Sequence, residues 1–265
     1  MYESRFGLSR RPFGETATPT AYVALPSRDA VLRRLRYGLE YAQGPVLLHG
    51  APGVGKSLLA NRLALETAAA AVHLTFPALP AGDLLAFLAG EFRGGPIEPS
   101  PALALRRLRE TLGELAARGR RPLLIVDDAG AVAEPCWEAL RLLLNFQVDG
   151  APALALVIVG DDEVAWRLPE PLRERLAAVS SPPRLTRSET AAYVEGRLTA
   201  AGARAPLFDP EALAALHDAT LGTPRRLNHV ADLALLIAFA EESPIVDARV
   251  VALAAREFQA DPLAA

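Results

Sequence analysis

The sequence of 265 residues is poor in cysteine, lysine, aromatic residues and long apolar runs. Its single cysteine, Cys136, excludes an internal disulfide and a cysteine-based metal site, and it indicates a reducing compartment. No stretch approaches the roughly 20 apolar residues that span a bilayer, and the amino terminus lacks the apolar segment of a signal peptide. The formal net charge of −3 gives no general reason to expect nucleic acid as the main partner. We therefore expect a cytoplasmic protein.

The scarcity of lysine is the most informative feature, because Lys56 is the only lysine among 28 basic residues. It lies in the segment 50–57, which reads Gly-Ala-Pro-Gly-Val-Gly-Lys-Ser and fits the phosphate-loop pattern GxxxxGK[ST]. A compact ammonium on a flexible stem can fold back over a tight glycine loop and reach the β- and γ-phosphates of a nucleotide. A planar guanidinium is too wide to do so. The one position that carries a lysine instead of an arginine therefore predicts a nucleotide-binding loop.

The rest of this loop also fits a phosphate site. Its glycines allow backbone angles that turn successive N–H groups toward one anion, and the helix that follows points its positive end at the same place. The hydroxyl of Ser57 is expected to be a ligand for Mg²⁺. An accidental glycine-rich turn is the alternative, but segment 45–49 predicts a buried strand and segment 58–64 a helix, which is the setting that the motif needs. The residues expected to bind nucleotide are Gly50, Pro52, Gly53, Val54, Gly55, Lys56, Ser57 and Leu58.

A second candidate group follows the apolar run 123–126, where two carboxylates stand in sequence. The run predicts a strand in the middle of a parallel sheet, so the carboxylates emerge at its carboxyl end beside the phosphate loop. There Asp127 would hold Mg²⁺ through water, and Asp128 would orient and deprotonate the attacking water. The predicted cofactors are therefore ATP and Mg²⁺.

The order of predicted elements indicates an α/β fold with a parallel sheet sandwiched by helices, followed by a small all-helical domain. Helices and strands alternate up to about residue 184, and only helices follow. The predicted parts are an arm at 1–26, a nucleotide-binding α/β domain at 27–184 and a helical lid at 185–265. Ser27 is expected to cap the first helix, which should run to about Tyr41. Further strands are predicted at 71–76 and 153–159, and further helices at 82–92, 102–118, 135–147, 188–201, 210–219, 224–241 and 247–258.

Several segments outside these motifs make the sequence resemble the AAA+ ATPases, and among them the family of general secretion pathway protein A and related pilus-biogenesis ATPases. The resemblance covers nearly the whole chain, although most of the matching positions concern packing rather than chemistry. The matching segments are Tyr2 with Phe-Gly-Leu at 6–8 and Pro-Phe at 12–13, Leu-Arg-Leu-Leu-Leu-Asn-Phe at 140–146, Ile-Val-Gly at 158–160, Ser-Glu-Thr at 188–190 with Tyr193 and Arg197-Leu198, and Gly-Thr-Pro-Arg-Arg-Leu-Asn at 222–228.

The resemblance implies a P-loop sheet of the AAA+ type, ATP hydrolysis at the interface of a homo-oligomer such as a ring, and action on a membrane or envelope protein in secretion or pilus assembly. Arg225 matches the arginine by which the helical lid contacts the γ-phosphate. Arg175 matches the arginine that a subunit supplies to its neighbour's nucleotide. An arginine suits both roles because it spreads positive charge over the transferring phosphoryl group. Either residue could instead be a solvated helix charge or half of a salt bridge.

Two departures from the family pattern leave the rate of hydrolysis open. Asp128 stands where the family has a glutamate, so the expected base is one methylene shorter, and Asp161 stands where an amide or hydroxyl is usual. A carboxylate at 161 would repel the γ-phosphate, which makes a slow or non-hydrolysing nucleotide switch an alternative. A DNA-binding regulator resembling transposition ATPases is another alternative, but DNA is not the favoured partner because the chain is acidic. His49 and His73 show no metal spacing and are interpreted as satisfied core histidines.

Overall fold

A computed structural model of the chain describes residues 2–14, 22–41, 43–67, 70–95, 100–118 and 121–260. Residues 1 and 15–21 of the expected arm lie outside the described part. By their internal contacts the residues form two compact units. We call them the sheet unit, which comprises Arg28–Pro52 and Lys56–Pro182, and the helical unit, which comprises Met1–Ser27, Gly53–Gly55 and Pro183–Ala265.

The described part of the sheet unit contains a five-stranded sheet in which every neighbouring pair is parallel, in the order β2-β3-β6-β1-β7. The three central strands are buried at every position, which is why they read in the sequence as unbroken apolar runs. A two-stranded antiparallel ribbon, β4 with β5, lies apart from this sheet. The strand bounds are β1 Val46–Leu48, β2 Ala71–Leu74, β3 Leu123–Val126, β4 Gln147–Val148, β5 Ala151–Pro152, β6 Ala155–Val159 and β7 Ala178–Ser180.

Helices connect the parallel strands, as parallel pairing requires. One face of the sheet, with Leu47, Leu124, Leu156 and Ile158, packs into a hydrophobic cluster with apolar residues of α3, α4 and α5. Pro101 opens α4 and Glu134-Pro135 opens α5, which are favourable first-turn residues. The helices of this unit are α1 Pro26–Glu40, α2 Lys56–Thr67, α3 Ala81–Arg93, α4 Pro101–Ala117, α5 Glu134–Leu143, α6 Val164–Arg167 and α7 Glu170–Arg173.

The helical unit has its own core, formed by α8 Arg187–Ala200, α9 Pro210–Thr220, α10 Pro224–Ala240 and α11 Ala248–Ala260. Helix α8 begins with a capping box, in which Thr186 accepts from the backbone of Glu189 and the Glu189 carboxylate accepts from the backbone of Thr186. Asp209 caps α9 through the N–H of Ala212.

Aromatic and polar residues anchor the described arm to this unit. Tyr2, Phe6, Leu8 and Phe13 are buried in the same cluster as the helices. The hydroxyl of Tyr2 and the guanidinium of Arg11 both donate to the carboxylate of Asp232 on α10. The guanidinium of Arg197 donates to the carbonyl oxygens of Pro12 and Gly14, at 2.8 and 3.2 Å. The described arm is therefore ordered without being helical.

The structure corrects several predicted elements. Ser27 lies inside the first turn of α1, which begins at Pro26, and the N–H of Ser27 donates to the Glu189 carboxylate, so it does not cap the helix. Helix α5 ends at Leu143 rather than near 147, because the chain turns there into the β4–β5 ribbon. Strand β2 ends at Leu74, two residues before its predicted end. Neither the ribbon nor the edge strand β7 was predicted.

The strand order decides where the chemically interesting loops lie. Strand β1 has β6 on one side and β7 on the other, and β6 separates it from β3. Because all these strands point the same way, the segments that follow β1, β3 and β6 emerge at one edge of the sheet. These segments carry Lys56, Asp127 with Asp128, and Asp161 with Asp162.

Candidate functional site

The loop after β1 has the backbone that a phosphate cradle requires. Its three glycines have positive φ angles, +140° at Gly50, +78° at Gly53 and +94° at Gly55. Side chains strongly disfavour these conformations, so glycine is needed at each of these positions. At Gly55 a Cβ would meet no atom within 4 Å, so the space beside this residue is open. At Gly55 the backbone conformation alone therefore accounts for the glycine.

Lys56, the first residue of α2, folds back over this loop. Its ammonium donates to the carbonyl oxygens of Gly50, at 2.8 Å, and Ala51, at 3.0 Å. Burial lowers the pKa of the ammonium, and the carboxylates of Asp127, Asp128, Asp161 and Asp162 oppose this effect. The chain therefore holds a partly desolvated positive charge beside four carboxylates.

Asp127, at the end of β3, has hydrogen-bond partners on both carboxylate oxygens. Oδ1 accepts from the N–H of Asp128 at 3.0 Å, and Oδ2 lies 3.3 Å from Nε2 of His73 on β2. Burial raises the pKa of this carboxyl, but hydrogen bonds from His73, Ser57 and the Asp128 backbone outweigh it, so that the pKa is lowered. Asp127 is thus held ionised next to the Ser57 hydroxyl.

The oxygen atoms of Ser57 and Asp127 are hard donors of the kind that Mg²⁺ prefers. Among the described residues no group of three His, Cys, Asp or Glu side chains forms a metal site by itself. This fits Mg²⁺, which usually takes one or two protein ligands and completes its shell with phosphate oxygens and water. The residues present are therefore compatible with a magnesium ion that arrives with a nucleotide.

The other acidic residues at this edge differ in their bonding. Asp128 is exposed and adopts a left-handed backbone, with φ +46°. Oδ1 of Asp161 accepts from the N–H groups of Glu163 and Val164, each at 3.1 Å, in the turn that leads into the short helix α6. Oδ1 of Asp162 lies 2.7 Å from Nδ1 of His49, the residue before Gly50. The structure brings all three carboxylates to the edge where Lys56 lies.

The two histidines at this edge differ from their interpretation as core residues. The side chains of His49 and His73 are 23% and 25% exposed, and each pairs with an aspartate that follows a neighbouring strand. The sequence alone offered only their position near strand ends as a signal, because the aspartates lie far away along the chain. Both pairs become visible once the strand order is known.

Arg175 lies just after α7 in the sheet unit and is exposed. Its guanidinium donates to the side-chain oxygen of Asn145 at 2.8 Å. Asn145 follows α5, so one hydrogen bond joins two loops of this unit and fixes the direction of the arginine.

Arg225 belongs to the helical unit, in the first turn of α10, and its side chain is exposed. Its backbone N–H donates to the carbonyl oxygen of Gly53 at 3.1 Å, and both residues belong to the same unit by contacts. A Cβ built on Gly53 would lie 2.8 Å from the Cβ of Arg225. The close approach gives Gly53 a second reason to lack a side chain, besides its φ angle.

Comparisons with known proteins agree with this arrangement. Residues 39–168 match a family model described as an AAA domain. General secretion pathway protein A of Aeromonas hydrophila is 34% identical to the chain, across 97% of the chain and 48% of that relative. The chain is an AAA+ protein related to general secretion pathway protein A. It spans about half the length of this curated relative.

Solved structures of other AAA+ proteins share the fold. The ADP form of the ORC2 protein of Aeropyrum pernix superposes with a TM-score of 0.71 at 21% identity, over 94% of this AAA+ chain and 72% of that chain. Cdc6p of Pyrobaculum aerophilum gives a TM-score of 0.71 at 22% identity, over 89% and 67% of the two chains. These likenesses confirm the predicted fold class, with a P-loop sheet followed by a helical part.

No helix within the described residues of this AAA+ protein combines the length and the hydropathy needed to cross a membrane.

Proposed function

We propose that this AAA+ chain binds ATP with Mg²⁺ at the 50–57 loop and hydrolyses it, and that the nucleotide state changes the conformation of an oligomer acting on a partner protein. By relation to general secretion pathway protein A, the proposed partner is a membrane or envelope protein of secretion or pilus assembly. The buried free thiol of Cys136 fits a reducing, cytoplasmic setting for the chain.

The observation that carries the proposal is the convergence of Lys56, Ser57 and Asp127 in the sheet unit. An ammonium lies over the loop carbonyls, and a hydroxyl lies within hydrogen-bonding reach of an ionised carboxylate. The first suits the β- and γ-phosphates and the second suits a magnesium ion. A merely structural loop would not require a partly buried lysine surrounded by carboxylates, because burying that charge is unfavourable.

The remaining roles follow from position. Asp128, exposed beside Asp127, would orient the attacking water and accept its proton. Arg225 would contact the γ-phosphate from the helical unit. Arg175 would reach the nucleotide of a neighbouring copy, and the homo-oligomer is proposed on that ground. Both guanidinium groups would stabilise charge on the transferring phosphoryl group.

The test compares ATP binding and hydrolysis in the wild-type chain, in Asp127→Asn and in Asp149→Asn. Asp149 is an exposed aspartate in the turn of the β4–β5 ribbon, so its variant is a matched control for the loss of one carboxylate. We expect Asp127→Asn to lower turnover by at least about a hundredfold, because a mispositioned metal loses several kcal/mol of transition-state stabilisation. The control should retain wild-type turnover. Equal turnover in the three proteins would refute the assignment of Asp127.

A slow nucleotide switch is a second candidate, and a specific observation favours it. Four aspartates interact electrostatically with one ammonium, and the Asp161 carboxylate accepts from two backbone N–H groups, so that it offers no hydrogen-bond donor to a γ-phosphate. Such a site would take ATP only with a compensating cation and would offer little help to a γ-phosphate that gains charge. Tight binding of ATP with turnover far below about 1 per second, the low end for typical enzymes, would support the switch. Ordinary turnover would eliminate it.

A further inference from the structure

The bonding of His73 extends the proposed site beyond the two motifs. We propose that His73 is a positioning residue that holds the Asp127 carboxylate in the orientation that accepts a divalent cation together with ATP. This inference rests on the proposed function, since it assigns a role toward the same nucleotide and metal. It concerns the imidazole only as a hydrogen-bond donor.

The sheet register explains why these two side chains meet. His73 pairs with Ile125 in the parallel ladder between β2 and β3. The ladder continues past β3, because the N–H of Asp127 donates to the carbonyl oxygen of Leu74 at 3.0 Å. Since side chains alternate along a strand, Asp127 lies on the same face as Ile125 and therefore as His73. The imidazole is long enough to span this diagonal neighbour position.

His73 and Asp127 meet on the face of the sheet opposite the hydrophobic cluster. The sequence neighbours of these two residues belong to that cluster. They are Val72 and Leu74 on either side of His73, and Val126 before Asp127. On the face of His73, Asp127 also receives a hydrogen bond from Ser57, the second residue of α2. The Asp127 carboxylate therefore joins the His73 imidazole and the Ser57 hydroxyl, which are its two side-chain hydrogen-bond partners.

The local geometry determines what His73 can do. Nε2 lies 3.3 Å from Oδ2 of Asp127, whose side chain is only 13% exposed. With Oδ1 held by the N–H of Asp128 and Oδ2 by the imidazole, rotation of the carboxylate about its Cβ–Cγ bond would break one of two hydrogen bonds. Ligating carboxylates are commonly fixed by such outer partners, and loss of a partner typically weakens metal affinity or activity by about 10- to 100-fold.

The experiment measures how strongly the metal and the nucleotide assist each other. Binding of a fluorescent ATP analogue is titrated in EDTA and in excess Mg²⁺, and the ratio of the two dissociation constants is the coupling between Mg²⁺ and nucleotide. This ratio does not depend on turnover. The test variants are His73→Leu and His73→Val, which lack the donor, and His73→Gln, whose amide can donate at a similar reach. Two donor-free variants ensure a result if one of them fails to fold.

The matched control is His217→Leu, because His217 of the helical unit also pairs through its ring with a polar side chain, Thr190, at 2.9 Å. We expect both donor-free variants at position 73 to reduce the coupling ratio by about 10- to 100-fold, chiefly through weaker binding in Mg²⁺. The dissociation constant in EDTA should stay near the wild-type value. His73→Gln and the control should keep the wild-type ratio.

The outcomes separate this inference from the function on which it rests. An unchanged ratio in His73→Leu and His73→Val would overturn the positioning role, and so would equal weakening in EDTA and Mg²⁺, since that pattern marks general damage to the fold. In both cases wild-type binding of ATP would leave the proposed function intact. If the wild-type chain takes up no nucleotide in Mg²⁺, the proposed function fails and the role of His73 fails with it.

Discussion

Replacing Lys56 by methionine is the perturbation whose outcome can be worked out most fully from the structure. Methionine keeps the unbranched stem and removes the ammonium, which donates to the carbonyl oxygens of Gly50 and Ala51. With nucleotide bound, the same donors would contact phosphate oxygens. Hydrogen bonds to charged groups contribute about 1.5–3 kcal/mol each, and the bonds given up to the loop carbonyls offset about 1 kcal/mol each. Two such contacts leave a net loss of roughly 1–4 kcal/mol, again from these values.

This free energy corresponds to a dissociation constant roughly 5- to 1000-fold weaker, at about 1.4 kcal/mol per tenfold. At an ATP concentration about 100 times the wild-type dissociation constant, ligand binding stabilises the folded chain by about 2.7 kcal/mol. For a chain of this size that is a rise in Tm of roughly 5–10 °C. A hundredfold weaker variant would gain only about 0.4 kcal/mol, or roughly 1 °C, by the same relations.

The same substitution should leave the ligand-free chain nearly as stable as the wild type. Burial lowers the pKa of the Lys56 ammonium, so the folded state holds this charge unfavourably at neutral pH. Removing the charge should therefore change the unfolding free energy by less than about 1 kcal/mol, despite the loss of two hydrogen bonds to the loop. Differential scanning fluorimetry measures both quantities, with and without ATP and Mg²⁺.

Arg106→Met is the control, because Arg106 is an exposed arginine on α4 whose partner Glu110 lies at 3.8 Å. It also removes one positive charge from the sheet unit, and its ATP-induced rise in Tm should equal that of the wild type. The reasoning about Lys56 would be refuted if Lys56→Met kept the full rise in Tm, or if Arg106→Met lost it equally.

Three further predictions concern other positions. Arg175→Ala should spare ATP binding and lower turnover per subunit by at least about tenfold. Turnover is measured at protein concentrations where size exclusion shows the oligomer. Unchanged turnover would exclude Arg175 from the interface role. Asp128→Asn should likewise bind ATP, but its hydrolysis should fall by roughly 100- to 10,000-fold, the usual effect of losing a general base. A coupled phosphate-release assay measures this rate, and an unchanged rate would exclude Asp128 as the base. Gly222→Ala should destabilise the helical unit by roughly 2–4 kcal/mol in urea unfolding, because its Cβ would lie 2.1 Å from the Leu185 carbonyl oxygen at φ +65°. Gly150→Ala, at φ +80° with no atom within 4 Å, should lose only about 1–2 kcal/mol, so equal losses would count against the steric argument.

The sequence was sufficient for the central strands and the helices of the helical unit. The runs that became β3 and β6 are unbroken apolar segments between turn signals, and such runs occur where both faces of a parallel strand are buried. Each predicted end of the four helices of the helical unit lies within two residues of the observed end. Their amino ends carry caps or prolines, which are local signals that do not depend on tertiary structure.

Other elements were missed for identifiable reasons. Strand β7, Ala178–Ser180, has three residues and no distinctive pattern, so only its pairing with β1 defines it. The β4–β5 ribbon did have a signal, because Asp149-Gly150 is a typical hairpin turn and both residues have positive φ, at +51° and +80°. The helix predicted at 135–147 covers the first residue of this ribbon, and the strand predicted at 153–159 begins only after its last residue.

The candidate site was predictable where it follows motifs and unpredictable where it depends on strand order. The loop with Lys56 and the carboxylates after β3 could be read directly from the sequence. The pairing of His73 with Asp127 could not, because it depends on the register between β2 and β3. The hydrogen bonds that Asp161 accepts depend on the turn into α6, and a helix of four residues is too short to show an apolar periodicity in the sequence.

The most direct test of the account is isothermal titration calorimetry of the purified wild-type chain with ATP, in Mg²⁺ and in EDTA. The account predicts one ATP per chain in Mg²⁺ and much weaker uptake in EDTA, because four carboxylates around Lys56 repel a nucleotide without its cation. The absence of ATP and ADP uptake in Mg²⁺ would contradict the account, since the loop, Ser57 and Asp127 would then share the fold of AAA+ proteins without their chemistry.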